Sequence, residues 1–238
     1  MHTDLNTFGS GIEPKYDMTQ WEEALINETP KVVDKTVYAN VMTDPYQPKV
    51  ASYTRAMLQS FLNIGVPKLL VLQTRSPFSA RDIDLFVQFK DKIRVNFTIE
   101  TNSESIRKDF TPTAPGLEAR WRALNAISEA GVPVCITATP TLPFAPDSSD
   151  KSGLNLKELR AWCDRIKSLP TISHVVVQEF HNGSFTKTSP EAYNIVNNYK
   201  WFYETNGFEW VKYHLRDNLD IPVIDGITGF APYLEINV

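Results

Sequence analysis

Cysteine is nearly absent from this 238-residue chain: two thiols, Cys135 and Cys163, stand 28 positions apart. That excludes a disulfide scaffold and leaves no run of closely spaced cysteines for a metal cluster. Cys135 falls in an apolar strand-like stretch and Cys163 on the apolar side of a helical one, so both read as small buried core residues. Long apolar runs are missing too. Val66–Leu72 is interrupted by Pro67 and Lys68, far short of a membrane span. The first residues, MHTDLNTFGSG, lack the charged-then-apolar order of an export signal, and the reading that follows is a cytoplasmic chain. Basic excess is also missing. The formal charge of −4 gives no electrostatic footprint for DNA or RNA.

What is present is ordinary globular material, 42% hydrophobic and 22% charged, long enough for one large domain with a substantial core. Residues 1–16 read as irregular, 17–226 as the domain and 227–238 as a tail. Apolar β-rich segments alternate with amphipathic ones. Asp17–Asn27 reads as a helix stopped by Thr29-Pro30, and Val37–Met42 as a buried strand. Lys49–Ile64 carries Tyr53, Met57 and Phe61 on one stripe and closes at Gly65. Lys68–Gln73 is a strand, and Ser79 caps a helix bearing Ile83, Phe86 and Val87. In the strand Ile93–Ile99, Ile93, Val95, Phe97 and Ile99 alternate with polar residues. A connection, Asn102–Gly116, leads to the clearest helix, Leu117–Ala130, with Leu117, Trp121, Leu124 and Ile127 on one face. Val132–Ala138 is the next strand. Asn155 with Glu158 resembles a capping box for the helix Leu156–Ser168. The strand Ile172–Phe180 follows. Ser189-Pro190 starts a helix running to Phe202, Gly207 separates it from a shorter one, and Ile221–Ile224 is the last strand. Trp121 and Trp162 belong to the core, and His174 reads as a structural histidine.

A strand followed by a helix, repeated in this way, means a parallel sheet with right-handed crossovers. No Gly-rich phosphate fingerprint follows the first strand, which disfavours a dinucleotide-binding sheet. In α/β sheets ligands sit at the carboxyl ends of strands. There Val37–Met42 breaks into Thr43-Asp44-Pro45-Tyr46, which is either a ligand contact or turn chemistry.

Four stretches, in this order and spacing, resemble a known family: VMTDPYQP (Val41–Pro48), TRSPFSARDIDLF (Thr74–Phe86), VNFTIETNSESIRKDFTPTAP (Val95–Pro115) and ARWRALNAISEAGVPVCITATPTLPF (Ala119–Phe144). They are similar to the radical S-adenosylmethionine (radical SAM) proteins of the spore-photoproduct-lyase type. The match is good over Val37–Phe144 and continues loosely to Gly226.

The resemblance implies an α/β fold, a partial (β/α)6 TIM-like barrel. It also implies S-adenosylmethionine as a ligand and a [4Fe–4S] cluster held by a C-x-x-x-C-x-x-C loop after the first strand. This chain departs from the pattern there. If Val37–Met42 is the family's second strand, the first strand and all three cluster cysteines are missing, so the cluster is expected of the family while its ligands are absent here. An edge strand so exposed recruits a partner or is covered. Either residues 1–36 fold over it, or a cluster-bearing polypeptide pairs with 37–42, or the gene is truncated.

By the same resemblance, Thr43 and Asp44 match the family's polar turn. Arg75 and Ser76 stand in its Thr-Lys-Ser segment, and Thr98 and Thr101 in its Ser-Ile-x-Thr motif. These six are the candidate S-adenosylmethionine contacts, and Lys→Arg keeps a carboxylate grip. The alternatives are that Thr98 and Thr101 only finish a strand and that Arg75 pairs with Asp82 or Asp84. Catalytic residues are not assigned.

Two other functions compete. One is a cluster-free binding module on the same barrel. The other is an unrelated β/α-barrel enzyme built on Glu179, His181 and Asp225, for which a third metal ligand is not evident. The spore-photoproduct substrate does not carry over, because no basic cluster lies near the proposed mouth.

Overall fold

The computed structural model describes residues 13–39, 43–144, 155–179 and 198–226. Among them six strands form one parallel sheet in the order β1 (Thr36–Ala39), β2 (Leu69–Thr74), β3 (Ile93–Thr98), β4 (Val134–Ala138), β5 (Ile172–Val177) and β6 (Val223–Asp225). Each strand pairs with its predecessor, as in a partial TIM-like barrel. β1 lies at one end of the sheet with β2 as its neighbour.

The helices follow from the patterns that announce them. Asp17 caps α1 (Met18–Glu28) in a full capping box: Gln20 N donates to Asp17 Oδ1 at 2.9 Å, and Asp17 N donates to Gln20 Oε1 at 3.1 Å. α2 (Ala51–Ile64) ends at Gly65, whose φ of 170° is extended backbone rather than the left-handed turn expected there. The glycine is needed for room, since a Cβ would lie 2.6 Å from Val33 Cγ2. Ser76, not Ser79, caps the next element, a 3₁₀ turn over Pro77–Asp82 that feeds α3 (Ile83–Phe89). The connection expected between β3 and the following helix contains a helix of its own, α4 (Glu104–Phe110). Then come α5 (Leu117–Glu129), α6 (Leu156–Lys167), α7 (Lys200–Glu204) and α8 (Gly207–Asn218). Gly207 begins α8 because a Cβ there would meet the Phe202 carbonyl at 2.6 Å.

Both faces of the central strands are buried, as a parallel sheet requires. Alternate residues (Leu70 and Leu72, Val95 and Phe97, Val134 and Ile136, Val175 and Val177) join Leu58, Phe86, Trp121, Leu124, Trp162 and Leu215 in one core. Trp121 and Trp162 are fully enclosed there.

The opposite parity mixes apolar residues such as Val71 and Val176 with a group of buried polar ones. Tyr38 donates to Gln73, Arg94 Nε to Asn96 Oδ1 at 2.9 Å, and the Thr98 and Thr137 hydroxyls lie 3.0 Å apart. His174 is satisfied between Ser173 Oγ at 2.8 Å and Cys135 Sγ at 3.4 Å, which agrees with a structural role.

The cap of α6 offers a direct check on local stability. Asn155 Oδ1 accepts from Glu158 N at 3.1 Å, so Asn155→Ala is expected to lower the unfolding free energy by about 1 kcal/mol. A urea titration measures it.

Candidate functional site

The carboxyl ends of β1, β2 and β3 come together. After β1 the chain turns through Thr43-Asp44-Pro45, and the Asp44 carboxylate joins two strand ends. Its Oδ1 accepts from Thr74 Oγ1 at 2.7 Å and from Tyr46 N at 2.9 Å, and its Oδ2 accepts from Arg75 N at 2.8 Å. Thr54 Oγ1 donates to the Pro45 carbonyl at 2.6 Å and ties the turn to α2. Tyr46 continues the lock outward, its phenol donating to Asp82 Oδ2 at 2.9 Å. Burial, and then the Asp82 charge, push that phenol above its ordinary range.

Asp82 is also held by Arg55, whose Nη2 lies 2.8 Å from Asp84 Oδ2. Arg55 therefore takes both aspartates that were alternatives for Arg75. Arg75 instead faces the next strand end: its Nη1 lies 3.4 Å from Glu100 Oε1, with the side chain 31% exposed. Glu100 is 2% exposed, and its Oε2 accepts from Arg120 Nη1 at 2.7 Å. Burial alone would raise the Glu100 carboxyl, but Arg120 and then Arg75 hold it below the usual carboxylate range.

The remaining candidates are committed to the backbone around them. Ser76 Oγ accepts from Phe78 N at 3.3 Å, and Ser76 N donates to Thr74 Oγ1 at 2.9 Å. Thr98 bonds Thr137, as above, and its carbonyl accepts from Arg120 Nη1 at 3.2 Å. Thr101 Oγ1 donates to the Pro143 carbonyl at 2.8 Å and accepts from Ser103 N at 3.2 Å. So Asp44, Ser76, Thr98 and Thr101 are buried and shape the mouth, whereas Thr43 and Arg75 are only half-buried. Thr43 also borders an apolar recess of about 340 Å³ walled by Trp21, Ala39, Tyr53 and Met57. Trp21 Nε1 donates to the Tyr53 carbonyl at 3.0 Å and fixes one wall.

Glu100 and Arg120 were not among the sequence candidates. Their signal was nonetheless present: Arg120 lies one turn beyond Leu117 and beside Trp121, a charge inside an apolar stripe. A charge in that place needs a buried partner.

The residues of the competing enzyme do not assemble among the described residues. Glu179 is exposed, Asp225 lies 2.9 Å from Lys212 Nζ, and His181 lies outside the described residues. No group of three or more His, Cys, Asp or Glu among the described residues is placed to hold a metal ion. Nor do the two thiols fit an iron–sulfur cluster. Cys135 sits inside the sheet and Cys163 on α6, and burial pushes them up to about 12 and about 11, whereas cluster ligands are thiolates. At the mouth, by contrast, the Arg75 guanidinium is partly accessible. Among the described residues no helix is long and apolar enough to cross a membrane.

No family model matches the chain. It is 32% identical over 109 residues to an uncharacterized protein of the Acidianus two-tailed virus, covering 46% of this chain and 36% of the viral one. It is 31% identical over 115 residues to an uncharacterized protein of Methanocaldococcus jannaschii, covering 48% of this chain and 43% of the other. The matched region thus spans well under half the length of either curated relative.

Among solved structures, a spore photoproduct lyase variant superposes with a TM-score of 0.58 at 11% identity, covering 86% of this chain and 66% of that one. Spore photoproduct lyase complexed with dinucleoside spore photoproduct gives 0.55 at 12% identity, with the same coverage of 86% and 66%. Streptococcus suis SuiB bound to S-adenosylmethionine gives 0.51 at 12% identity, covering 92% of this chain and 46% of SuiB. At such identities the likeness is one of fold alone, an α/β partial TIM-like barrel.

Proposed function

We propose that this chain is a radical SAM-like protein whose mouth, at the ends of β1–β3, binds S-adenosylmethionine or a closely related ligand. Arg75 takes the ligand's carboxylate. The observation that carries the reading is the placing of one guanidinium at the mouth: Arg75 and Arg120 converge on Glu100, beside the Asp44 carboxylate, and of the two arginines only Arg75 reaches solvent. A guanidinium so placed is completed by an anion with paired oxygens. In the same reading Thr43 contacts the ligand directly, while Asp44, Ser76, Thr98 and Thr101 hold the mouth's shape.

Radical cleavage of that ligand needs an iron–sulfur cluster, which the two buried thiols do not supply, and no such step is assigned to this chain. The reading therefore includes a separate cluster-bearing polypeptide that pairs with β1. Its support is the motif resemblance, in which the cluster cysteines belong to a strand and loop next to the counterpart of β1.

Calorimetry with S-adenosylmethionine tests the binding. Saturable heat is expected, and Arg75→Ala should weaken it by about 10- to 100-fold, the worth of a charge-assisted hydrogen bond. No heat at millimolar ligand overturns the reading. Reconstitution with iron and sulfide tests the partner: cluster absorption should appear only when a C-x-x-x-C-x-x-C polypeptide is added. Binding without cluster absorption in any mixture would favour the cluster-free binding module, which the burial of both thiols already supports.

A further inference from the structure

We propose that Glu100 is the positioning residue of the mouth, holding the Arg75 guanidinium in its ligand-ready place while Arg120 anchors Glu100 from behind. This rests on the reading that Arg75 receives the ligand's carboxylate.

The geometry divides Glu100 between two duties. Oε2 faces inward to Arg120 at 2.7 Å, and Oε1 faces outward to Arg75 at 3.4 Å. The anchor itself cannot turn away. Arg120 is fully buried, and its Nε donates to the Pro115 carbonyl at 2.8 Å while Nη1 also reaches the Thr98 carbonyl at 3.2 Å. Arg75 is thereby held at both ends, its amide by Asp44 at 2.8 Å and its tip by Glu100.

The length of the outer contact matters. At 3.4 Å the pair attracts electrostatically without a short bond that would consume a donor, and among the described residues no other acceptor takes the Arg75 side chain. A long cationic side chain has rotamer entropy to lose on gripping an anion. Holding it beforehand removes part of that cost from binding. A purely structural ion pair would be complete with Glu100 and Arg120. A second arginine brought to the same carboxylate opposes the charge of the first, and a bound anion relieves that opposition.

Four variants and two readouts test the proposal. The variants are Glu100→Gln, Glu100→Asp, Arg75→Ala and Glu100→Gln combined with Arg75→Ala. The Asp variant keeps the charge that Arg120 needs in order to fold but withdraws the outer oxygen. In calorimetry with S-adenosylmethionine, Glu100→Gln and Glu100→Asp should each weaken binding several-fold, and Glu100→Gln should add nothing once Arg75 is alanine. An equal loss in both backgrounds would show that Glu100 acts through the fold and overturn the proposal.

The second readout needs no ligand: the rate at which phenylglyoxal modifies Arg75, followed by mass spectrometry. Both Glu100 variants should speed that reaction several-fold while Arg120 stays unmodified. An unchanged rate overturns the positioning role. If wild-type protein gives no heat with S-adenosylmethionine, the ligand assignment fails, and the modification rates still decide whether Glu100 holds Arg75.

Discussion

Replacing Arg120 by leucine is expected to lower the unfolding free energy by about 3–5 kcal/mol, the cost of leaving one member of a buried ion pair without the other. Glu100 is 2% exposed and cannot turn to water. The variant must either keep an unbalanced charge in the interior or protonate it. Removing both charges, as Glu100→Leu with Arg120→Leu, should return much of the loss, because two well-packed apolar side chains replace a desolvated pair at little net cost.

The pH dependence carries the sign. Glu100 is held below the ordinary carboxylate range although burial alone would raise it. Its contribution is therefore present above the unfolded-state pKa and lost as pH falls through the lower folded-state value. In Arg120→Leu, burial prevails and the carboxyl rises. The stability gap between wild type and variant should accordingly narrow as pH falls from the variant's raised value toward the wild type's lowered one. Urea midpoints across pH 3–7 measure it, and a gap that stays constant would show that Arg120 contributes packing rather than charge.

The second large effect belongs to Asp44. Asp44→Ala leaves the Thr74 hydroxyl and the Arg75 and Tyr46 amides without the acceptor they share. Each orphaned donor costs about 1–3 kcal/mol. With water entering the vacated space beside half-buried Arg75, a loss of about 3 kcal/mol is expected. Asp44→Asn should cost less, since the amide oxygen still serves one side while its NH₂ opposes a donor on the other. A destabilisation by Asp44→Ala of under about 1 kcal/mol would mean that the β1 and β2 ends are held together by packing alone.

Periodicity made the sheet and most helices legible, because a strand buried on both faces and a helix with one apolar stripe leave different spacings. Boundaries and caps were less so. Ser79 and Ser76 are equally good cap residues by type, and only the hydroxyl's contact with Phe78 N selects Ser76. The helix Glu104–Phe110 escaped notice because it is short, charged and followed by two prolines, Pro112 and Pro115. Arg107 stabilises it from within, bonding Glu104 and the Thr111 and Ala114 carbonyls. At the mouth, the motifs brought the right strand ends together, yet residue type could not say which hydroxyls were spent on the protein itself. Pairings between distant residues, such as Arg55 with Asp82 and Arg75 with Glu100, depend on how neighbouring units are rotated against one another, and no local pattern encodes that.

The unbroken order from β1 to β6 bears on how the molecule is made. Thr36 pairs with Leu69, Leu70 with Ile93, Val95 with Val134 and Val175 with Val223, so each strand docks against the strand that left the ribosome just before it. Among the described residues no strand has to wait for a partner from the far end of the chain, and each new strand covers the edge left by the one before it. Such a chain can fold in the direction of translation, and its most vulnerable moment is the interval between one strand and the next.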